Sequence, residues 1–163
     1  MKLRRLVVSL LAIAATTIGA VLISAAPAQA ALSYAQSKSV AANACGPGYY
    51  AQYYHTISGG GVNISRVFLL YNSTAKKNCT VNVNLLTPST RYLAVYIQKT
   101  GDTEWTYDRD YYSSYAGPLK ISAPGTACVR LSYFATYGGH TYGDQASGWM
   151  TGSCGGAEGW HAA

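Results

Sequence analysis

The sequence predicts an all-β fold: a single small antiparallel β-sandwich or barrel-like domain, held by two disulfides and preceded by a signal peptide. Three observations lead to this prediction. Short runs rich in Val, Ile, Tyr and Thr alternate with turns of Gly, Pro and Asn. After the N-terminal segment, no stretch repeats its apolar residues at the helical period. The four cysteines are an even number in a chain with an export signal, which is typical of a disulfide framework.

The N-terminal segment has the three parts of a secretory signal peptide. A basic start at 2–5 is followed by an apolar run over 6–26 and by Ala28-Gln29-Ala30, the small residues that signal peptidase recognises. We therefore expect cleavage between Ala30 and Ala31, and no stable membrane insertion afterwards. An uncleaved anchor is the alternative, because the apolar run is long enough to span a bilayer.

Removal of 1–30 takes away three of the twelve basic residues and leaves nine against the six acidic ones, a net charge of +3. The basic residues are scattered and form no stripe, so we expect no nucleic-acid partner. The remaining 133 residues suffice for one domain. We predict a flexible lead-in over 31–44, with a short helix as the alternative, then an all-β domain over 45–155 and a flexible tail over 156–163.

The first strands of the domain follow a Gly-Pro-Gly turn. A Tyr-rich strand over 49–57 leads to a second strand over 62–71, whose two apolar faces indicate a central position. The strand over 79–85 alternates, which predicts one buried and one solvent-facing side. Its apolar side holds Cys79, Val81, Val83 and Leu85, and its polar side holds Thr80, Asn82 and Asn84.

Three further strands complete the predicted domain. In the strand over 92–98 the aliphatic residues are predicted to face the core, and Tyr92 and Tyr96 to face outward or lie at the edge. An aromatic strand follows within 108–118 and is predicted to stop at a Gly-Pro turn. The last strand with a clear pattern covers 128–135, and a glycine-rich stretch follows it.

Two disulfide pairings are open at this point. Cys79 lies in register with the apolar side of its strand, whereas Cys128 is out of register with the apolar residues that follow it. Cysteines on opposite faces of a sheet pair poorly, which favours Cys45–Cys79 with Cys128–Cys154 over Cys79–Cys128 with Cys45–Cys154. No pair has the Cys-x-x-Cys spacing typical of zinc, so we expect no metal site.

No residue pattern predicts catalysis or a cofactor. His140, Asp144 and Ser147 are triad residue types, but they lie in a glycine-rich stretch, and no Gly-x-Ser-x-Gly motif occurs. One acidic cluster has groups suited to calcium or to glycosidase chemistry, although its spacing matches no calcium loop. We expect a solvated turn and strand edge there, and ion binding stays open. The cluster consists of Asp102, Glu104, Asp108 and Asp110.

The fifteen tyrosines are the most abundant signal in the chain. They either fill a small β core and its rim or form an exposed platform for sugars. Adjacent strand residues face opposite sides, so both members of a Tyr-Tyr pair cannot enter one core. We take Tyr50, Tyr54 and Tyr112 as the candidate ligand surface, for a polymer of the cell wall or spore surface.

Five short motifs lie in order along the β domain: Cys45-Gly-Pro-Gly-Tyr49, Leu69-Leu-Tyr-Asn72, Asn78-Cys-Thr-Val81, Tyr115-Ala-Gly-Pro118 and Thr126-Ala-Cys-Val129. Together they resemble the spore-associated protein A family, which consists of small exported proteins of actinobacteria. The resemblance spans about 45–155 and departs from the family pattern after the third cysteine. There Arg130-Leu-Ser-Tyr-Phe134 replaces the usual Trp-Gly-Gly. The resemblance implies secretion and association with the spore or cell surface, and it implies no catalytic residues.

We therefore expect a secreted non-enzymatic protein that associates with the spore or cell surface, while its molecular activity and oligomeric state stay open. The alternative is an extracellular polysaccharide- or cell-wall-binding module that uses exposed tyrosines. A third hypothesis is a secreted enzyme or enzyme inhibitor. Its enzyme version requires Asp108, His140 and Asp144 to converge in one pocket.

Overall fold

The computed structural model describes residues 31–124, 127–150, 154 and 160–163, with the backbone alone over 145–150. The predicted signal peptide lies outside this part of the chain. No helix among these residues has the length and apolarity needed to cross a membrane. The elements are α1 (Tyr34–Cys45), β1 (Tyr50–Gly59), β2 (Val62–Asn72), β3 (Lys77–Asn84), β4 (Arg91–Lys99), β5 (Thr106–Tyr112), β6 (Tyr115–Ser122), β7 (Val129–Tyr137), β8 (His140–Met150) and β9 (His161–Ala162).

The strands form two antiparallel sheets, which confirms the predicted all-β sandwich. The five-stranded sheet has the order β6-β3-β2-β1-β9, and the four-stranded sheet has the order β5-β4-β7-β8. Apolar side chains from the facing sides of the two sheets form the main core, as the pleat of each strand requires. Its fully buried members include Val67, Leu69, Leu93, Val95, Leu131 and Tyr133.

The segment predicted as a flexible lead-in forms the helix that was given as the alternative: α1, packed on the outer side of the five-stranded sheet. It begins with a capping box, in which Ser33 Oγ accepts a hydrogen bond from the Gln36 amide at 3.2 Å and Gln36 Oε1 accepts one from the Ser33 amide at 2.9 Å. It ends at Gly46, whose φ of 87° favours glycine. Its side chains are mostly small, so it lacks a strong apolar stripe although Ala41 and Cys45 are buried.

Arg66 of β2 joins α1 to the sheet beneath it. Its Nη1 donates to Ser37 Oγ at 2.6 Å, and its Nε donates to Thr56 Oγ1 at 3.0 Å. The guanidinium also lies 5.7 Å from the centre of the Tyr34 ring and 5.8 Å from that of Tyr54. Burial lowers the pKa of Arg66, and the two tyrosines act in the opposite direction. Hydroxyl groups and aromatic faces thus support a buried cation under the helix.

β3 is buried on both sides, which corrects the prediction of one solvent-facing side. Its apolar side, with Cys79, packs in a second core under α1. Its polar side faces the other sheet, where Asn82 Nδ2 donates to the backbone carbonyls of Ala94 and Phe134, both at 3.0 Å. These hydrogen bonds satisfy the buried amide nitrogen. The alternation in the sequence separates two sets of residues, but it does not say whether the polar set meets water or backbone carbonyls.

One side of the sandwich is closed where β5 leads into β6. Asp108 of β5 accepts hydrogen bonds from the Tyr112 hydroxyl and from the Gly117 amide, the latter at 2.6 Å. Asn84 Nδ2 donates to the carbonyls of Tyr112 and Ser113 at 3.3 and 3.2 Å. The interior asparagine and the inward-facing carboxylate therefore hold the β5–β6 connection against the rest of the five-stranded sheet.

The predicted Gly-Pro turn at the end of 108–118 is not a turn. β5 ends at Tyr112, the chain reverses at 113–114, and Gly117-Pro118 lies inside β6. Proline is tolerated there because β6 is an edge strand of its sheet. Gly117 has a φ of 95°, and a Cβ at this position would lie 2.8 Å from the carbonyl oxygen of Thr80. Glycine is therefore needed for the close approach of β6 to β3.

Both disulfides match the pairing that the strand registers favour. Cys45 at the end of α1 is joined to Cys79 of β3, with a Cα–Cα distance of 6.1 Å. Cys128 is joined to Cys154, with a Cα–Cα distance of 5.9 Å. Cys128 lies just before β7, so its lack of register with that strand does not prevent pairing.

The end of the chain is ordered rather than a flexible tail, as far as the structure describes it. β9 pairs with β1, placing His161 opposite Tyr54 and Ala162 opposite Tyr53. The Ala163 amide also donates to the carbonyl of Gln52 at 3.0 Å. The prediction of a flexible tail over 156–163 is thus wrong for residues 160–163, because the edge of β1 offers backbone partners. Residues 156–159 lie outside the described part.

Candidate functional site

The outer side of the four-stranded sheet carries a cluster of aromatic side chains, of which two are exposed and the others half-buried. The antiparallel register places Tyr92 opposite Tyr111 and Tyr96 opposite Tyr107. Residues directly opposite each other share a face, and the intervening aliphatic residues of β4 face the core. The prediction that Tyr92 and Tyr96 face outward is therefore confirmed. We define the aromatic face as Tyr92, Tyr96, Trp105, Tyr107, Tyr111 and Phe134.

The rings of the aromatic face hold one another in fixed orientations. Ring centres are 5.6 Å apart for Tyr92 and Tyr111, and 5.5 Å apart for Tyr96 and Tyr107. The Tyr96 ring also meets Trp105 edge-on at 6.3 Å. Yet Tyr107 is 55% and Tyr111 68% exposed, values far above those of core tyrosines such as Tyr133. Two groups of rings on one side of a sheet, each with a largely exposed tyrosine, are typical of a binding surface.

A shallow cavity lies within the aromatic face. Its volume is about 220 Å³, and it is lined by Tyr96, Trp105, Ser132 and Phe134. Three rings and one hydroxyl form its walls, so it can accept an apolar face with a polar substituent beside it. None of these four lining residues is an Asp, Glu, His, Lys or Arg.

Two arginines border the aromatic face. The Arg109 guanidinium lies 5.2 Å from the centre of the Tyr107 ring, and its Nη1 donates to the Tyr96 hydroxyl at 3.4 Å. This hydrogen bond raises the pKa of Arg109 further above the range in which arginine could lose its charge. The Arg130 guanidinium lies 4.9 Å from the Trp105 ring. Both cations therefore lie against ring faces of the same surface.

The three tyrosines predicted as a ligand surface do not lie together. Tyr50 of β1 is 51% exposed and meets Tyr71 edge-on. Tyr54 packs under α1 against Tyr34, at a ring distance of 4.8 Å. Tyr112 packs against the main core and donates its hydroxyl proton to Asp108. Burial, together with this bond, raises the pKa of Tyr112 to about 12.

Sequence reasoning did not predict Tyr107 and Trp105, and of the adjacent pair Tyr111-Tyr112 it chose Tyr112 rather than the exposed Tyr111. Tyr107, Arg109 and Tyr111 follow the period of two that places alternate residues on one face of a strand. That period could have grouped them, but it could not decide whether the group faces the core or the outside. The orientation of β5 depends on Asp108, whose inward-facing carboxylate accepts a hydrogen bond from the Gly117 amide of β6.

The acidic cluster does not converge. Asp102 lies 3.5 Å from Lys99 Nζ in the β4–β5 connection. Asp108 faces β6, and Asp110 accepts a hydrogen bond from the neighbouring Tyr111 amide at 2.7 Å. In the described part of the chain no group of three or more His, Cys, Asp or Glu side chains could hold a metal ion.

The residues required by the enzyme hypothesis are also separated. His140 and Asp144 belong to β8, whereas Asp108 belongs to β5, and these strands lie at opposite edges of the four-stranded sheet. Asp144 lines a different concavity, of about 580 Å³, between β1 and β8 together with His55 and Tyr133. The predicted constellation therefore does not form a catalytic site. Ser147 lies where side chains are outside the described part.

The fold and the site define a class of protein: a small disulfide-bonded β-sandwich with one outer face covered by a helix and the other bearing exposed aromatic rings. The chain is 38% identical over 112 residues to spore-associated protein A of Streptomyces coelicolor, and the alignment covers 69% of each protein. The chain therefore belongs to the spore-associated protein A family, as its motifs predict. No family model matches the sequence. No solved structure matches the chain at a significant level.

Proposed function

We propose that this protein is exported, associates with the spore or cell surface, and does so without enzymatic activity by laying its aromatic face against polysaccharide. The observation that carries the proposal is the exposure of Tyr107 and Tyr111 in a pre-packed array of rings. Tyrosine and tryptophan rings stack on the apolar faces of sugar rings, while tyrosine hydroxyls bind sugar hydroxyls. The relative in Streptomyces coelicolor bears the name spore-associated protein, and this supports the location.

Export is supported by the signal-like N-terminus and by the two disulfides, which persist in oxidising surroundings. A preformed surface also suits polymer binding on physical grounds. The rings already contact one another before a ligand arrives, so little side-chain entropy is lost on binding. An open surface of this kind fits an extended chain better than it fits a small molecule that needs enclosure.

Co-sedimentation tests the proposal. The mature protein recovered from culture medium is mixed with actinobacterial spores and, separately, with insoluble chitin. We expect it to pellet with both, and we expect the double substitution Tyr107→Ala, Tyr111→Ala to reduce the bound fraction about tenfold, because exposed aromatic anchors dominate such contacts. Tyr50→Ala is the matched control, since Tyr50 is similarly exposed on the five-stranded sheet.

Two results would contradict the proposal. One is a wild-type protein that stays in the supernatant with every polymer. The other is equal retention of the wild type and the double variant. An unchanged urea midpoint for the double variant shows that any loss of binding is not a loss of fold, because both rings are largely exposed.

A further inference from the structure

The two sides of β5 differ in charge. Arg109 lies between Tyr107 and Tyr111 on the outward side, and it is opposite Ala94 of β4. Asp108 and Asp110 occupy the alternate positions of the same strand, opposite the core-facing residues Val95 and Leu93. Since alternate residues of a strand point to opposite faces, the strand presents its cation with the aromatic face and its carboxylates on the other side.

Neighbouring strands continue this separation. The outward side of β4 holds Ala94 and Gln98 in addition to Tyr92 and Tyr96. On β7, Phe134 pairs with Ala94, Ser132 with Tyr96 and Arg130 with Gln98. None of these outward positions on β4, β5 and β7 is acidic. Asp102 and Glu104 belong to the β4–β5 connection at the end of the sheet, where Asp102 is paired with Lys99.

Arg109 is also placed to meet a ligand. It is exposed, and its guanidinium rests on the Tyr107 ring with one donor directed to the Tyr96 hydroxyl. A guanidinium has five N–H donors in a planar fork that matches carboxylate and phosphate oxygens. A ring that stacks on Tyr107 or Tyr111 would bring a substituent next to this fork. The Arg130 cation lies beside the cavity at Trp105, so the aromatic face has one cation among its tyrosines and a second at its Trp105 end.

We propose that the polymer bound by the aromatic face is anionic: a glycan that carries carboxylate or phosphodiester groups, with Arg109 as the residue that selects the charge. This inference rests on the proposed function and adds the chemical class of the polymer. The rings can stack on any sugar polymer, charged or neutral. The two arginines favour a negatively charged polymer, and no acidic residue on the outward side of β4, β5 and β7 opposes it.

Retention on three immobilised polymers tests the inference. The probes are chitin, which is neutral, polygalacturonate, which carries carboxylates, and polyglycerol phosphate, which carries phosphodiesters. We expect stronger retention on one or both anionic polymers than on chitin, and a loss of that excess when the ionic strength rises, because salt screens exposed charges. Preference for polygalacturonate assigns the carboxylate, and preference for polyglycerol phosphate assigns the phosphodiester. Equal preference for the two assigns charge alone.

Substitutions separate selection by Arg109 from general attraction to a basic protein. Arg109→Gln should weaken retention on the anionic polymers about threefold to tenfold more than it weakens retention on chitin, and Arg109→Lys should restore part of that difference. Lys120→Gln is the matched control: it removes one exposed charge, also held over a ring, at 5.3 Å from Tyr49 on the five-stranded sheet.

The outcomes distinguish this inference from the function on which it rests. Equal retention of the wild type on neutral and anionic polymers overturns the inference and leaves polysaccharide binding intact. An equal effect of Lys120→Gln and Arg109→Gln also overturns it, because net charge would then explain the preference. Retention on no polymer and no spore overturns both.

Discussion

The two outer faces of the sandwich are both rich in aromatic residues, but the rings of one face are covered by a helix and those of the other are partly exposed to solvent. On the five-stranded sheet, Tyr54 and Phe68 lie under α1 with ring centres 6.1 Å apart, and Phe68 is fully buried. On the four-stranded sheet, no element of the described chain covers Tyr107 and Tyr111. Aromatic content alone therefore does not define a binding surface, since a covering element decides which rings meet solvent.

The difference can be traced to what holds α1 in place. The helix is joined to β3 by the Cys45–Cys79 disulfide and to β2 through Arg66. Each link is covalent or charge-assisted, so a helix with few large apolar side chains still stays docked. The four-stranded sheet has no equivalent link in the described residues, and its arginines instead lie on the outside of its own rings.

The largest expected contrast between the faces is in stability. Phe68→Ala should lower the free energy of unfolding by about 3–5 kcal/mol, because it leaves a cavity between the sheet and α1. Phe134→Ala is the matched change on the aromatic face, and it should cost about 1 kcal/mol, because part of that ring already meets water. Urea unfolding of the disulfide-intact variants measures both, and equal losses would show that the two faces are not different in this respect.

A second contrast is between neighbouring tyrosines of β5. Tyr112→Phe should cost about 1.5 kcal/mol at neutral pH, because it removes the hydrogen bond to Asp108. Tyr111→Phe should change stability little, since Tyr111 is exposed. Urea midpoints at neutral pH compare the two.

Alkaline pH gives a further test at Tyr112. The folded-state pKa of Tyr112 is raised to about 12, mainly by burial, while an unfolded tyrosine loses its proton near the usual value of 10. Its stabilisation is therefore complete below about pH 10 and declines as the pH rises from about 10 to about 12. Tyr112→Phe should flatten this alkaline decline and Tyr111→Phe should not. An identical decline in both variants would exclude Tyr112 as its source.

The smallest expected effect is at the start of the covering helix. Ser33→Ala removes the capping-box acceptor and should lower the free energy of unfolding by about 1 kcal/mol. Ser39→Ala, at an exposed position inside α1, is the control and should be neutral or slightly stabilising. A loss for Ser39→Ala as large as that for Ser33→Ala would mean that capping is not the cause.

Sequence patterns within single strands predicted the β-sandwich correctly. They did not predict which side of a strand is buried when that depends on neighbouring strands. The alternation of β4 correctly placed Tyr92 and Tyr96 outside, because a β pleat has a strict period of two. For β3 the same period separated Cys79 from Asn82 correctly, but the polar side proved to be interior. The hydrogen-bond partners of Asn82 come from strands β4 and β7, and no local pattern identifies them.

The helix was predicted only as an alternative, and the aromatic face was not predicted, for related reasons. The capping box formed by Ser33 and Gln36 is visible in the sequence, but the residues after it are too small to show an amphipathic period. The ligand surface was assigned to Tyr50, Tyr54 and Tyr112, because adjacent tyrosines must diverge. Adjacent tyrosines do point to opposite sides of their strand. Which of them is exposed depends on α1 in the case of Tyr54, and on the hydrogen bond to Asp108 in the case of Tyr112.

Asn82 has a consequence for how the chain avoids a wrong alignment. Its amide joins two carbonyls of the facing sheet, while Cys79, three residues earlier, points to the other side and meets Cys45. A slip of β3 by one residue would exchange its sides, so the amide would face the helix and the thiol would face the opposite sheet. The disulfide to Cys45 and the two hydrogen bonds donated by Asn82 Nδ2 are therefore available only in the same alignment. The Cys45–Cys79 disulfide can therefore form only when β3 is correctly aligned, and once formed it holds that alignment covalently.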